Sequence, residues 1–112
     1  MKRTEAIKLN KDFKRLYYRG KSSVKSSVVI YALKNRADSN RLGITCGKSI
    51  GKAVKRNRVK RLLKEGYRLL EDRLLSGYDI VLVARTRCLG SKQKHIIRDL
   101  ESAFEALGIL EK

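Results

Sequence analysis

The stretch Gly51-Lys52-Ala53-Val54-Lys55-Arg56-Asn57-Arg58-Val59-Lys60-Arg61-Leu62-Leu63-Lys64-Glu65 decides how this chain folds, because it reads at once as a helix and as a row of cations. Eight lysines and arginines fall between positions 48 and 64. A solvated charge run needs no apolar stripe. Here Val59, Leu62, Leu63, Gly66, Tyr67 and Leu70 recur at the spacing of one buried helix face. At about 100° per residue, Asn57, Lys60, Arg61, Lys64 and Arg68 gather on the opposite side. Arg56 and Arg58 flank that arc near the helix start. Glu65 is the only carboxylate between 48 and 68, so the pairing normal on solvated helices is missing. The guanidinium forks suit phosphate or guanine, Asn57 adds a donor and an acceptor, and a helix N-terminus attracts phosphate. The partner that fits such a surface is a phosphate backbone.

The rest of the composition agrees. The 112 residues suffice for one compact domain, read as a single unit over 1–112, and 42% hydrophobic content supports a core without metal or disulfides. A net charge of +17 makes the chain repel itself, a cost that points to a polyanionic partner. Cys46 and Cys88 are too few and too isolated for a disulfide framework or zinc site, and read as small core residues in a reducing compartment. The Met-Lys-Arg-Thr-Glu start lacks the apolar run of a signal peptide, and no stretch has the length of a membrane span. A cytoplasmic location is expected.

Outward from the basic helix, expected over 53–70, the elements follow from patterning. Residues 1–9 are weakly patterned and expected to be extended or mobile. Asn10 is placed to cap a short helix carrying Phe13, Leu16 and Tyr17 on one face, with Gly20 as its stop. Val24 to Leu33 reads as a strand, with Val28, Ile30 and Ala32 on one face and Val29, Tyr31 and Leu33 on the other. Asn35 to Asn40 reads as a turn leading to a strand over Arg41 to Cys46, and a hairpin is the simplest connection. Tyr78 to Ala84 is a nearly continuous apolar strand, which implies burial on both faces. A last helix is expected over 91–107, capped by Ser91 and ended by Gly108, with Ile96, Ile97, Leu100, Ala103, Phe104 and Leu107 facing the core. The predicted order is αββαβα, an α+β sandwich with a small central sheet.

Charge is uneven along this order. Residues 1–25 carry nine cations against Glu5 and Asp12, and residues 48–68 carry nine against Glu65. From Asp99 onward there are four carboxylates against Lys112 alone. Two basic regions imply two contact surfaces. His95, the only histidine, has no partners at ligand spacing, and Asp79 reads as a lone carboxylate at a strand start. No carboxylate pair is spaced for two-metal hydrolysis, and no Ser-His-Asp or Cys-His set exists. The protein's own side chains read as catalytically empty.

With these elements in place, Lys48-Ser49-Ile50-Gly51 followed by Ala53-Val54-Lys55-Arg56-Asn57-Arg58-Val59-Lys60-Arg61 closely resembles the signature of the bacterial ribonuclease P protein subunit. Asp12-Phe13 resembles the family's first helix. Val28-Val29-Ile30-Tyr31, Arg41-Leu42-Gly43-Ile44-Thr45 and Tyr78-Asp79-Ile80-Val81-Leu82-Val83-Ala84-Arg85 resemble its strands, so the likeness covers about residues 9–107. Lys52 departs from the Asn of many members, and Tyr17 from the Phe of some; both keep an RNA-binding surface.

The resemblance implies a left-handed βαβ crossover, against the usual rule. It further implies that a catalytic RNA with Mg²⁺ removes the 5′ leader of precursor transfer RNA, while the protein binds that RNA and the leader. No membrane or further protein partner is expected. Binding of the catalytic RNA carries over to Arg56, Asn57, Arg58, Lys60, Arg61 and Lys64, with Arg68 on the same polar side. Leader binding carries over to Phe13, Tyr17 and Tyr31, with Val29 on the Tyr31 face and Lys48 beside them. From the residues alone, core packing is the simpler reading of the three aromatics; the family likeness favours the leader cleft. The competing function is a structural ribosomal or RNA-chaperone protein of the same fold.

Overall fold

The computed structural model describes residues 4–111. Five strands form one mixed sheet: β1 (Thr4–Ala6), β2 (Lys21–Val24), β3 (Val28–Lys34), β4 (Asn40–Thr45) and β5 (Tyr78–Ala84). Their spatial order is β1-β4-β5-β3-β2, with β5 parallel to β4 and antiparallel to β3. Three helices cover it: α1 (Asn10–Arg19), α2 (Ala53–Leu70) and α3 (Gln93–Ala106). The architecture is α+β, as expected.

The hairpin expected between the second and third predicted elements does not form, because β5 lies between β3 and β4. An apolar run buried on both faces satisfies its backbone best with a neighbour on each edge, so β5 takes the centre. The Asn35–Ser39 turn therefore bridges two strand spacings, about 10 Å. Asn35 ties it to the start of β5: its N–H donates to Gly77 O at 2.7 Å, and its Nδ2 donates to Asp79 Oδ1 at 2.9 Å. Gly77, at φ +93°, makes the turn into β5 that passes beneath Ala37. The hairpin that does form joins β2 to β3, splitting the single strand expected over 24–33. Its turn is held by Asp99 of α3, whose Oδ2 accepts from Ser27 Oγ at 2.7 Å and from the Ser27 N–H at 3.1 Å.

Two cap assignments are also corrected. Leu9, not Asn10, is the N-cap of α1, and Lys92, not Ser91, that of α3. Neither end uses a side-chain cap, and Ser91 Oγ instead bonds Arg87 O at 2.8 Å. Gly108, at φ +75°, ends α3 as expected. Of the start expected to be extended or mobile, residues 1–3 lie outside the described residues. Thr4–Ala6 is extended but paired in parallel with β4, and Thr4 Oγ1 lies 2.8 Å from Tyr67 Oη of α2.

The core sits on the sheet face under α2 and α3. Val28, Ile30, Ala32, Leu42, Ile80 and Leu82 meet Val59, Leu63 and Tyr67 of α2 and Ile96, Leu100 and Phe104 of α3. The helices approach closely at Gly66, where a Cβ would come within 2.9 Å of Leu100 Cδ1. Cys88 belongs to this core and the half-buried Cys46 packs against it; burial pushes the Cys88 thiol up to about 11. No helix of the described residues is long and apolar enough to cross a membrane.

Candidate nucleic-acid interface

Strand register sorts the opposite face of the sheet into three rows. Arg41, Asp79 and Leu33 lie side by side; then Gly43, Val81 and Tyr31; then Thr45, Val83 and Val29. Helix α1 covers the first two rows. Its Leu16 is buried against Val81, with Ile7 in the same cluster. Phe13 packs over Gly43, where an added Cβ would lie 2.5 Å from Phe13 Cε1, so glycine is needed for the ring to sit down. Tyr17 meets Tyr31 edge to face, ring centroids 5.0 Å apart. The third row is uncovered: Thr45, Val83 and Val29 are half-buried, and Val24 beside Val29 is exposed. The result is a cleft with an aliphatic floor and one aromatic wall.

Opposite the aromatic flank of α1, a network of charges fixes its angle. Arg41 donates from Nε to Asp79 Oδ1 at 2.8 Å, and its Nη2 pairs with Asp79 Oδ2. Arg41 Nη1 also reaches Asp12 of α1 at 3.4 Å, and Arg15 Nη2 reaches Asp79 at 3.3 Å. Burial pushes the Asp79 carboxyl up, but Arg41, Asn35 and Arg15 outweigh it and hold the group below its ordinary range. Asp79 is thus no isolated strand-end carboxylate but the buried centre of the clamp that seats α1. Its place in an otherwise apolar run was the available signal.

Of the residues expected to bind leader, Phe13, Tyr17, Tyr31 and Val29 are brought together along the cleft. Lys48 is exposed on the 3₁₀ turn Lys48–Ile50 that follows β4. Reading residues one by one missed Thr45, Val83 and Val24, which complete the floor; their alternation marks a face, but only register puts them in one row.

On α2 the predicted stripe is the observed one. Val59, Leu63, Gly66, Tyr67 and Leu70 are buried, while Asn57, Arg58, Lys60, Arg61, Lys64 and Arg68 are exposed. Arg56 is half-buried, and its Nε has no hydrogen-bond partner among the described residues. Arg68 differs from the other cations: Glu65 accepts from its Nε at 3.1 Å and from its Nη2, so its charge is partly spent within the helix. Lys60, Arg61 and Lys64 border a groove of about 510 Å³ that reaches Phe13. His95 is exposed on α3. Among the described residues no group of three or more His, Cys, Asp or Glu side chains is placed to hold a metal ion.

Fold and surface define the class: a small α+β domain that presents a cationic helix, with Arg68 alone paired to Glu65, beside an aromatic cleft, built to meet a polyanion. A family model described as Ribonuclease P matches residues 1–108. The ribonuclease P protein component of Clostridioides difficile is 43% identical over 108 residues, covering 96% of this chain and 95% of that protein. That of Clostridium botulinum strain Langeland is 45% identical over 107 residues. The RNase P protein of Staphylococcus aureus superposes with a TM-score of 0.84 at 32% identity, covering 95% of this chain and 97% of the other. That of Thermotoga maritima gives 0.79 at 29% identity, covering 88% and 93%. The chain belongs to the ribonuclease P protein family. The competing ribosomal or chaperone reading finds no support in these matches.

Proposed function

We propose that this protein works inside a ribonucleoprotein whose RNA hydrolyses the phosphodiester, docking on that RNA through α2 and holding the single-stranded 5′ leader of precursor transfer RNA in the cleft. The observation that carries this reading is the pairing of two surfaces on one small domain. One is a rigid cationic helix whose only carboxylate, Glu65, is taken by Arg68. The other is the bare row Thr45-Val83-Val29 walled by Phe13, Tyr17 and Tyr31, which suits stacked, unpaired bases.

On this reading the acid and base of the chemistry come from the RNA, and three of the protein's carboxylates are already engaged within the fold. Asp12 and Asp79 are bound to Arg15 and Arg41, and Asp99 is taken by Ser26 and Ser27. These carboxylates do not fit Mg²⁺ either, since a cation at Asp12 and Asp79 would face two guanidinium groups. The reading therefore leaves Mg²⁺ with the RNA. The protein's share is electrostatic: its cations offset phosphate repulsion between two RNAs, a task otherwise left to divalent ions. The reading places it in the cytoplasm with transfer RNA precursors and requires no second protein.

Reconstitution tests it. Adding the protein to the family's RNA subunit is expected to raise cleavage of a leader-bearing precursor at low Mg²⁺. Equal cleavage with and without protein across a Mg²⁺ titration would refute it.

A further inference from the structure

Helix α3 carries its charges the wrong way round. A helix is stabilised by carboxylates in its first turn and cations in its last, because its backbone dipole is positive at the start. Helix α1 obeys, with Asp12 in the first turn and Arg19 in the last. Helix α3 has no acid in its first turn and no base in its last. Lys94 lies in that first turn and Arg98 one turn on, whereas Glu101 and Glu105 occupy the far half.

Spacing adds a second cost. At about 100° per residue, Lys94, Arg98, Glu101 and Glu105 fall in one stripe along the helix. Both four-residue steps in it, Lys94 to Arg98 and Glu101 to Glu105, join like charges, which oppose the helix. Arg73 relieves Glu101 at 2.6 Å. Among the described residues neither Lys94 nor Arg98 has an ion-pair partner. The run also extends outward. From 85 to 98 the chain carries five lysines and arginines and no carboxylate, and Arg87, Lys92, Lys94 and Arg98 are all exposed. A merely solvated face would be more stable with its halves exchanged. This one works against its own helix, and an anion lying on the cationic half offsets both terms.

Position says which anion. Helix α3 lies on the α2 side of the sheet, away from the cleft, and packs on α2 where Gly66 meets Ile96, Ile97 and Leu100. Helices packed in this way have axes about 8–10 Å apart, so one RNA element can rest on both. We propose that the outer face of α3, from Lys92 to Arg98, is a second docking surface for the catalytic RNA. Lys94 and Arg98 hold phosphates there, Lys92 and Arg87 stand at its edge, and the carboxylate of Glu101 ends it. This goes beyond the α2 contact and rests on the reading that α2 meets that RNA.

The test compares Lys94→Gln/Arg98→Gln with the parent, both as the full chain. Removing the two cations relieves the helix, so the free variant is expected to melt above the parent. Its binding to the catalytic RNA is nonetheless expected to weaken. Across a salt titration the slope becomes shallower by about 1.4–1.8, about 0.7–0.9 for each lost phosphate contact. Hydroxyl-radical footprints of that RNA are expected to lose one patch of protection and keep the rest. Arg58→Gln/Arg61→Gln, on α2, removes a different patch. An unchanged slope, or the same nucleotides lost in both variants, overturns the proposal. So does a Lys94→Gln/Arg98→Gln chain that melts below the parent. A loss seen only when precursor binds the assembled holoenzyme gives α3 to the substrate and overturns it too. Each of these outcomes leaves the α2 contact standing. An Arg58→Gln/Arg61→Gln variant with the parent's slope and footprint removes the reading beneath both.

Discussion

Asp79 is a charge taken out of water, its side chain 1% exposed, and its partners decide whether that is tolerable. Two guanidinium groups and the Asn35 amide surround it, and Arg41 is held more basic than an ordinary arginine by its hydrogen bond to this carboxylate. Removing one member of such a set costs more than the set contributes, because the remaining charge is stranded. Asp79→Asn is expected to lower unfolding free energy by about 3 kcal/mol, at the low end of the range for buried pairs because Arg41 is 28% exposed. Urea denaturation checks it, and a loss below the ~1 kcal/mol of a surface pair would demote the clamp to decoration. Apart from the place of Asp79 in an apolar run, the sequence did not announce this site, since Arg15, Arg41 and Asp79 are distant along the chain and only register and α1 bring them together.

Among the elements, α1 has the most demanding position. It is short, and Leu16 is its one fully buried apolar side chain. Its seat depends on Phe13 over Gly43 on one flank and on the Asp12 and Arg15 contacts on the other. That seat sets how much of the sheet stays bare. Tyr31→Ala removes the ring that Tyr17 leans on and part of the cleft wall. Binding of leader-bearing precursor is expected to weaken by about 1–2 kcal/mol more than binding of mature transfer RNA, the scale of one lost base stack. Equal weakening in paired affinity measurements would return Tyr31 to a packing role. Helix α2 needed no tertiary help to be read, because its stripe and its cations repeat within a few turns. The β3 to β4 connection was misread because a short polar turn looks the same whether its strands pair directly or admit a third between them.

For the whole molecule, charge sets the conditions under which the fold holds. Burial raises Asp79 and Asp99, but hydrogen bonds and cations outweigh it, so both titrate below the ordinary carboxylate value of 3.8. In acid the unfolded chain binds protons first, so the stability these groups add is complete above about pH 5 and is lost as pH falls through their folded values. At the other end burial raises the Tyr67 hydroxyl and the Cys88 thiol, the latter to about 11 from 9.0. There the unfolded chain releases protons first, and stability declines above about pH 9. Thermal melts are expected to plateau between about pH 5 and 8.5 and to fall on both sides, with a shallower acid limb in Asp79→Asn. A melting temperature independent of pH between 3 and 5, taken as approximate limits, would contradict the buried ion network.

The amino-acid sequence alone settled what depends on neighbours a few residues away. It gave the α2 helix with its apolar stripe and cations, the two faces of β3, the doubly buried β5, the core face of α3, and a net charge that calls for a polyanion. Tertiary structure decided what depends on which strand lies beside which. It put β5 between β3 and β4, lined up Thr45, Val83 and Val29 as a floor, stopped β1 short of Ile44, and closed the ion network on Asp79. The reason is one of range. Periodicity is a local property and is written into consecutive residues, whereas register is a choice among distant partners made by burying the most apolar strand at the centre of the sheet.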